Sequence, residues 1–217
     1  MVKVAWHGHA CFEIVSSKGL TLGIDPHDGK SLGIKPPRFK ADVVLLTHEH
    51  FDHNVAQAIS KPDSKVYRMF TGDTSQDDVR IKGFMSYHDK FKGSQRGRNV
   101  IYKITVDEIN IVHVGDLGDF PSEDIIKELK GAHVLMTPVG GTFTLEPEEV
   151  VELISYLEPK IVIPMHYKIP GLRLPIKDVE YFLRLCKWNI ERLDRNYLEV
   201  TVDTIPLETI VKVLTPP

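Results

Sequence analysis

The sequence predicts an α/β fold in which two sheets pack face to face with helices outside them, a four-layer αββα sandwich. Three observations point there. Residues up to about 115 are dominated by short β-branched runs, the rest alternates apolar runs with helical segments, and no repeat, low-complexity tract or linker divides them. Residues 1–217 are therefore read as a single domain, long enough to bury roughly 70% of the surface that its unfolded chain exposes.

Strands are expected first at residues 2–6, 11–15 and 20–24, partly alternating runs split by Gly, Ser and Lys that read as an antiparallel meander. Residues 42–47 (DVVLLT) are nearly continuously apolar, as suits a strand covered on both faces, and residues 54–60 continue at helical spacing. Residues 65–70, 79–85, 99–106 and 109–114 read as four further strands, the last two joined by the Asp107-Glu108 turn. Beyond Gly115, helices are expected at 121–130, 146–157 and 177–188, with Pro121 and Pro147 in first turns, where a missing N–H costs little. Strands at 133–137 and 161–165 lie between these helices, and a closing pair at 197–202 and 209–214 returns to sheet.

A net charge of −3 with 26% charged residues argues against a whole-molecule polyanion binder, although a local basic patch stays compatible with an anionic substrate. Cys11 and Cys186 lie far apart in apolar segments and read as buried free thiols, so neither a disulfide framework nor a cysteine zinc site is indicated. No apolar run approaches the ~20 residues of a membrane span, and the start, MVKVAWHGHACFEIV, lacks a signal-peptide core. A cytoplasmic location is the expectation.

The chemistry lies in the ten histidines and their placement. Thr47-His48-Glu49-His50-Phe51-Asp52-His53 crowds three imidazoles and a carboxylate just after a buried strand, where a packed core has no use for them. His48 and His50, two apart on an extended segment, can point the same way, and Asp52 and His53 then face a neighbouring position. Glu49 has no histidine three positions on, so a helical HExxH zinc site is not indicated.

This HxHxDH pattern resembles the signature of the metallo-β-lactamase superfamily. Asp25 in LGIDP, His88 in SYHD, Asp116 in HVGDLG and His166 in IVIPMHY match its other motif regions in order. HGHACFEI, PVGGTFTLEP and VIPMHYK look like the small hydrolases grouped with ascorbate-phosphate lactonase. The resemblance implies a metallo-β-lactamase-like sandwich holding two divalent metal ions, zinc by preference, with manganese or iron as alternatives. It places His48, His50 and His88 on the first, Asp52, His53 and His166 on the second, and Asp116 between them. His113, three residues before Asp116, is an alternative to His88. Asp25 is read as accepting a hydrogen bond from a ligand imidazole and fixing its tautomer, with a plain Asp-Pro turn as the alternative. Of the other histidines, His7 and His9 flank Gly8 near the expected pocket, and His27 and His133 read as structural or exposed.

A water shared by two such metals is a hydroxide at neutral pH, so the expected activity is metal-dependent hydrolysis by a bridging hydroxide, with Asp52 as the catalytic proton acceptor. No serine or cysteine nucleophile is needed, and no GxSxG occurs. His7, His9, Tyr167 or a water remain open as the leaving-group acid. Residues 88–99 (HDKFKGSQRGRN) carry Lys90, Lys92, Arg96 and Arg98 around two glycines, and Lys168 and Arg173 follow His166. Arg96, Arg98 and His9 are the expected substrate contacts. The expected partner is a small anionic ester, lactone or phosphodiester, with no membrane and with oligomerisation open. A nucleic-acid phosphodiesterase of ribonuclease type on the same fold is the alternative, disfavoured by the lack of a Lys/Arg stripe. A redox protein with an iron pair is a third reading, disfavoured by the lack of a flavin-binding module.

Overall fold

The computed structural model describes residues 1–217 and arranges fourteen strands in two sheets. The first holds β1 (Val2–Trp6), β2 (Phe12–Val15), β3 (Thr21–Ile24), β4 (Ala41–Leu46), β5 (Ser60–Arg68) and β13 (Tyr197–Val200), in the order β13-β1-β2-β3-β4-β5. The second holds β6 (Gly72–Gln76), β7 (Val79–Tyr87), β8 (Arg98–Val106), β9 (Ile109–His113), β10 (Val134–Pro138), β11 (Ile161–Met165), β12 (Asn189–Arg192) and β14 (Ile210–Val213). Their order is β12-β14-β11-β10-β9-β8-β7-β6.

Alternation along the strands makes the sandwich. Val2, Val4 and Trp6 of β1 join Val43 and Leu45 of β4 in one buried cluster that also takes Ile101 and Ile104 of β8 and Val134 of β10, so the two sheets share a core. Val44 and Leu46 point to the other face of β4, where Ala41, Ala56, Ile59 and Phe39 cover them. That second cluster is small. The helical spacing at residues 54–60 yields a single 3-10 turn, Ala56–Ala58, because seven residues are too few to nucleate a helix without broad packing, and β5 starts at Ser60. The outer layer over the first sheet is correspondingly thin.

Over the second sheet, α1 (Glu123–Leu129) links β9 to β10, α2 (Pro147–Leu157) links β10 to β11, and α3 (Val179–Leu185) follows β11. β9, β10 and β11 are mutually parallel, so right-handed crossovers keep these helices on one face, and α2 packs against both α1 and α3. α2 starts at Pro147 with the Glu149 carboxylate accepting from the Glu146 N–H at 2.9 Å; α3 starts where Asp178 accepts from the Tyr181 N–H at 3.2 Å. No helix is long and apolar enough to cross a membrane.

Strand direction positions the site. β1 and β3 each run antiparallel to β2, and β4 is parallel to β3, so β1, β3 and β4 point the same way. β7 and β9 each run antiparallel to β8, and β11 is parallel to β10 and β9, so β7, β9 and β11 also share one direction. Among the strands that share these directions, β1, β3 and β4 of the first sheet and β7, β9 and β11 of the second deliver their carboxyl ends to one end of the sandwich.

Candidate metal centre

Each of those six strand ends carries a histidine or an aspartate: His9 beyond β1, Asp25 beyond β3, His48 beyond β4, His88 beyond β7, Asp116 beyond β9 and His166 beyond β11. Three of these turns bend through the left-handed region, with φ of 53° at His9, 46° at Asp25 and 49° at His166. Such conformations are uncommon for residues with a Cβ and concentrate at functional sites. At Gly115 (φ 59°) a Cβ would stand 2.3 Å from Asn99 Oδ1, the atom that accepts the Asp116 backbone N–H at 3.1 Å. A glycine is needed there for Asp116 to reach the site.

The structure brings together all seven residues expected as ligands. His48, His50 and His88 form one group of donors, and Asp52, His53 and His166, joined by His9, form another. Asp116 stands between the groups: its Oδ2 is 3.1 Å from His88 Nε2, 3.3 Å from His166 Nε2 and 3.8 Å from His48 Nε2, and its Oδ1 is 3.4 Å from His53 Nε2. His113 is elsewhere. Its Nδ1 accepts from the Gly115 N–H at 3.1 Å and its Nε2 donates to the Ala10 carbonyl at 3.0 Å, so both ring nitrogens are committed to backbone.

Asp25 organises two of the imidazoles. It accepts from the Thr47 N–H at 2.8 Å, from the Thr47 hydroxyl at 2.6 Å and from His53 Nδ1 at 3.1 Å. With its hydroxyl proton given to Asp25, Thr47 Oγ1 accepts from His48 Nδ1 at 3.0 Å. Both imidazoles thus carry the proton on Nδ1 and turn Nε2 inward as a lone pair. Sequence reasoning missed Thr47 and Asn99; neither a hydroxyl just past β4 nor an amide at the start of β8 has a pattern that marks it.

The donor set fits divalent metal. Two ligand atoms on one tetrahedral ion with bonds of about 2.0–2.1 Å stand about 3.3 Å apart. The His88–Asp116, His166–Asp116 and His53–Asp116 separations of 3.1, 3.3 and 3.4 Å match. His48 Nε2 and Asp116 Oδ1 are buried and have no hydrogen-bond partner within the protein, a deficit that a cation at this position would relieve. Protonation points the same way. Burial, reinforced by His53, holds the His48 imidazole well below its ordinary range, and burial also lowers His50, so both stay neutral donors. Burial opposes ionisation of Asp116, yet His166 and His53 hold its carboxyl well below the usual carboxylate range. His53 is raised despite its burial, by Asp116 and Asp52: without metal, a proton stands where these carboxylates call for positive charge.

The centre opens on a cavity of about 260 Å³. Buried Asp52, His88, Asp116 and His166 with half-buried His50 line its base, and Phe51, Phe143, Leu174 and Arg96 its walls. Arg96 lies over the Phe143 ring at 4.6 Å. Its loop is held by buried Asp89, whose carboxylate accepts the backbone N–H groups of Phe91, Gly93, Gln95 and Arg96 at 2.7–3.0 Å. Larger clefts of about 360 and 490 Å³ contain no histidine.

Other expected substrate contacts lie apart from this cavity. Arg98 opens β8, paired with Tyr87, and is not on the cavity wall; the strand pairing fixes it away from the loop tip. His9 is fully buried among the donors, not on the wall. Lys90 is paired with Glu149 of α2, and Lys168 is tied to the carbonyls of Leu172 and Leu174. His7 pairs with Glu13 at 3.3 Å, and Tyr167 packs at a tilt against Trp6 with ring centres 5.2 Å apart, and neither lines the cavity as a leaving-group acid would.

Residues 3–166 match the model of the β-lactamase superfamily domain. The chain is 32% identical to a UPF0173 metal-dependent hydrolase of Thermococcus onnurineus over 190 residues, covering 77% of this chain and 85% of the relative. It is also 32% identical to a UPF0173 metal-dependent hydrolase of Thermococcus kodakarensis over 209 residues, covering 85% and 92%. A crystal structure of a protein assigned as a zinc-dependent hydrolase of the metallo-β-lactamase superfamily, from Thermotoga maritima, superposes with a TM-score of 0.78 at 30% identity, covering 99% of this chain and 100% of that one.

Proposed function

The chain belongs to the β-lactamase superfamily as a metal-dependent hydrolase, and from that premise we propose that it hydrolyses a small anionic ester, lactone or phosphodiester at a two-metal centre. His48, His50 and His88 would hold the first ion, Asp52, His53 and His166 the second, with Asp116 shared. Two divalent ions there, zinc by preference, supply a water activated at neutral pH and a Lewis acid for the scissile carbonyl or phosphoryl oxygen.

The chain's own residues do the rest. Burial opposes ionisation of Asp52, but His53 and His9 keep its carboxyl below the usual range, so it is a carboxylate at neutral pH. Oδ2 lies 3.0 Å from His9 Nε2, among the donors of the second group, and Oδ1 is the oxygen left to take the proton of the attacking water. Phe51, Phe143 and Leu174 give the cavity apolar walls, and the ring of Phe143 lies under the Arg96 guanidinium.

The observation that carries the substrate class is that Arg96 is the one Lys or Arg side chain on the cavity wall. One guanidinium seated over an aromatic ring suits a single carboxylate or phosphate, whereas a polynucleotide needs a row of cations. The test is a panel of charged and neutral lactones, esters and phosphodiesters on metal-loaded protein. A charge-assisted contact contributes about 1.5–3 kcal/mol where water is excluded and less at an exposed side chain such as Arg96, so Arg96→Gln is expected to raise KM about three- to tenfold for the anionic members and to spare the neutral ones. Equal losses on both kinds would remove the anion from this reading.

A further inference from the structure

We propose that His9 is a direct ligand of the second metal, giving that ion four donors besides the shared Asp116 while the first ion has three. The inference rests on the two-metal reading above and assigns to the centre a residue outside the HxHxDH, His88, Asp116 and His166 set. It also makes the two sites unequal: the second is closed by protein, and the first keeps coordination free for exchange.

The backbone at His9 is fixed before its ring does anything. Gly8 (φ 87°) and His9 (φ 53°) both take left-handed conformations, and the His9 carbonyl accepts two hydrogen bonds, from the Trp6 indole at 2.9 Å and from the His166 backbone N–H at 3.0 Å. His9 and His166 are thus tied together although they come from different sheets. A strained turn held from both sides is what a residue aimed at a fixed point requires.

The ring then meets the second group of donors. His9 Nε2 is 3.0 Å from Asp52 Oδ2 and 3.0 Å from His53 Nε2, and its ring centre is 4.2 Å from that of His166. The ligand atoms of His9, Asp52, His53 and His166 all lie within 4.8 Å of one another. His53 spends Nδ1 on Asp25, so the nitrogen it turns toward His9 is its ligating one. Two imidazole Nε2 atoms meeting this closely share either a proton or an ion, and a metal on His53 leaves the ion. The Nε2 of His9 is turned to side-chain donors, whereas the Nε2 of His113 and that of His27 each donate to a backbone carbonyl. Full burial and absence from the cavity wall separate His9 from substrate.

The test uses the full chain loaded with Co(II), in which each metal-bound imidazole gives its own strongly shifted, exchangeable ring N–H proton resonance, together with chelator competition. His9→Asn is the variant, because asparagine tolerates the left-handed backbone and is too short to reach the ion; His9→Gln is the second variant if the first does not fold. Wild type is expected to bind two ions, one more tightly. In His9→Asn the tighter step is expected to weaken more than about 100-fold, beyond the 10–100-fold typical of residues that merely support a ligand, with one shifted resonance lost. A folded variant that keeps every wild-type resonance other than those exchanging with solvent in both proteins overturns direct ligation, even if affinity falls, since His9 would then only support Asp52. A single bound ion in wild type would sink the two-metal reading, while His9 would still stand or fall by whether its resonance is present and lost on substitution.

Discussion

One aspartate orients two imidazoles of the proposed centre at the residue scale. Asp25 binds His53 directly and His48 through the Thr47 hydroxyl, so its removal frees both rings to rotate and to change tautomer. Asp25→Ala is therefore expected to weaken metal binding about 10–100-fold at each site, and Thr47→Val to weaken chiefly the site that His48 serves; chelator competition on both variants checks this. Unchanged affinity in Thr47→Val would mean that the relay through Thr47 does not exist. The HxHxDH donors are legible in the sequence because a run of ligand types after an apolar strand has no packing explanation. Thr47 is not legible, since its role depends on Asp25 arriving from another strand. The choice between His88 and His113 needed the ring hydrogen bonds, which no spacing encodes. His9 reads from sequence as a residue near the pocket; what places it among the donors is a left-handed turn and a hydrogen bond to His166, far along the chain.

Elements with a clear apolar period were legible at the next scale, and those without one were not. β1 and β11 fall at residues 2–6 and 161–165, where the alternating and continuous apolar runs put them. β6 (GDTSQ) and β12 (NIER) are polar strands at the edges of the second sheet, held by a neighbour rather than by burial, and carry no periodic signal. The segment between β7 and β8 is a loop whose order comes from one side chain. Burial alone would raise the Asp89 carboxyl, but the four backbone N–H groups, Arg96 foremost, hold it below its ordinary range, so it remains a charged acceptor at neutral pH. Asp89→Ala is expected to speed amide exchange at Phe91, Gly93, Gln95 and Arg96 and to raise KM for anionic substrates in the same direction as Arg96→Gln, because Arg96 loses its anchor. Arg98→Gln serves as the control, since β8 pairing keeps it off the cavity wall, and should leave KM unchanged. Slow exchange in Asp89→Ala would show that the Lys90–Glu149 pair is enough to hold the loop.

For the whole molecule, the sandwich was legible because both sheets draw on one core, while the thin outer layer over the first sheet was not, since helical spacing in residues 54–60 could not reveal how soon β5 begins. The same close packing makes global stability depend on protons away from the metal donors. His27 is fully buried just past the Asp25 turn, with Nε2 donating to the His7 carbonyl at 3.2 Å and Nδ1 without a partner. Burial, only partly offset by that bond, pushes its imidazole down to about 4 from 6.5. The folded value lies below the unfolded one, so as pH falls the unfolded chain takes up the proton first. The stabilisation is complete above the unfolded value of 6.5 and is lost progressively down to about 4. Each tenfold difference in proton affinity between the folded and unfolded chains is worth ~1.4 kcal/mol, so the loss between pH 7.5 and 4.5 should be roughly 2–3 kcal/mol. Other buried histidines titrate in this window too, so the measurement is a difference: urea unfolding of metal-free wild type and His27→Gln at both pH values. Glutamine does not titrate, and the variant should gain roughly 2–3 kcal/mol relative to wild type on going to pH 4.5. A gap between the two proteins that is the same at both pH values would mean that His27 titrates in the folded chain as it does in the unfolded one.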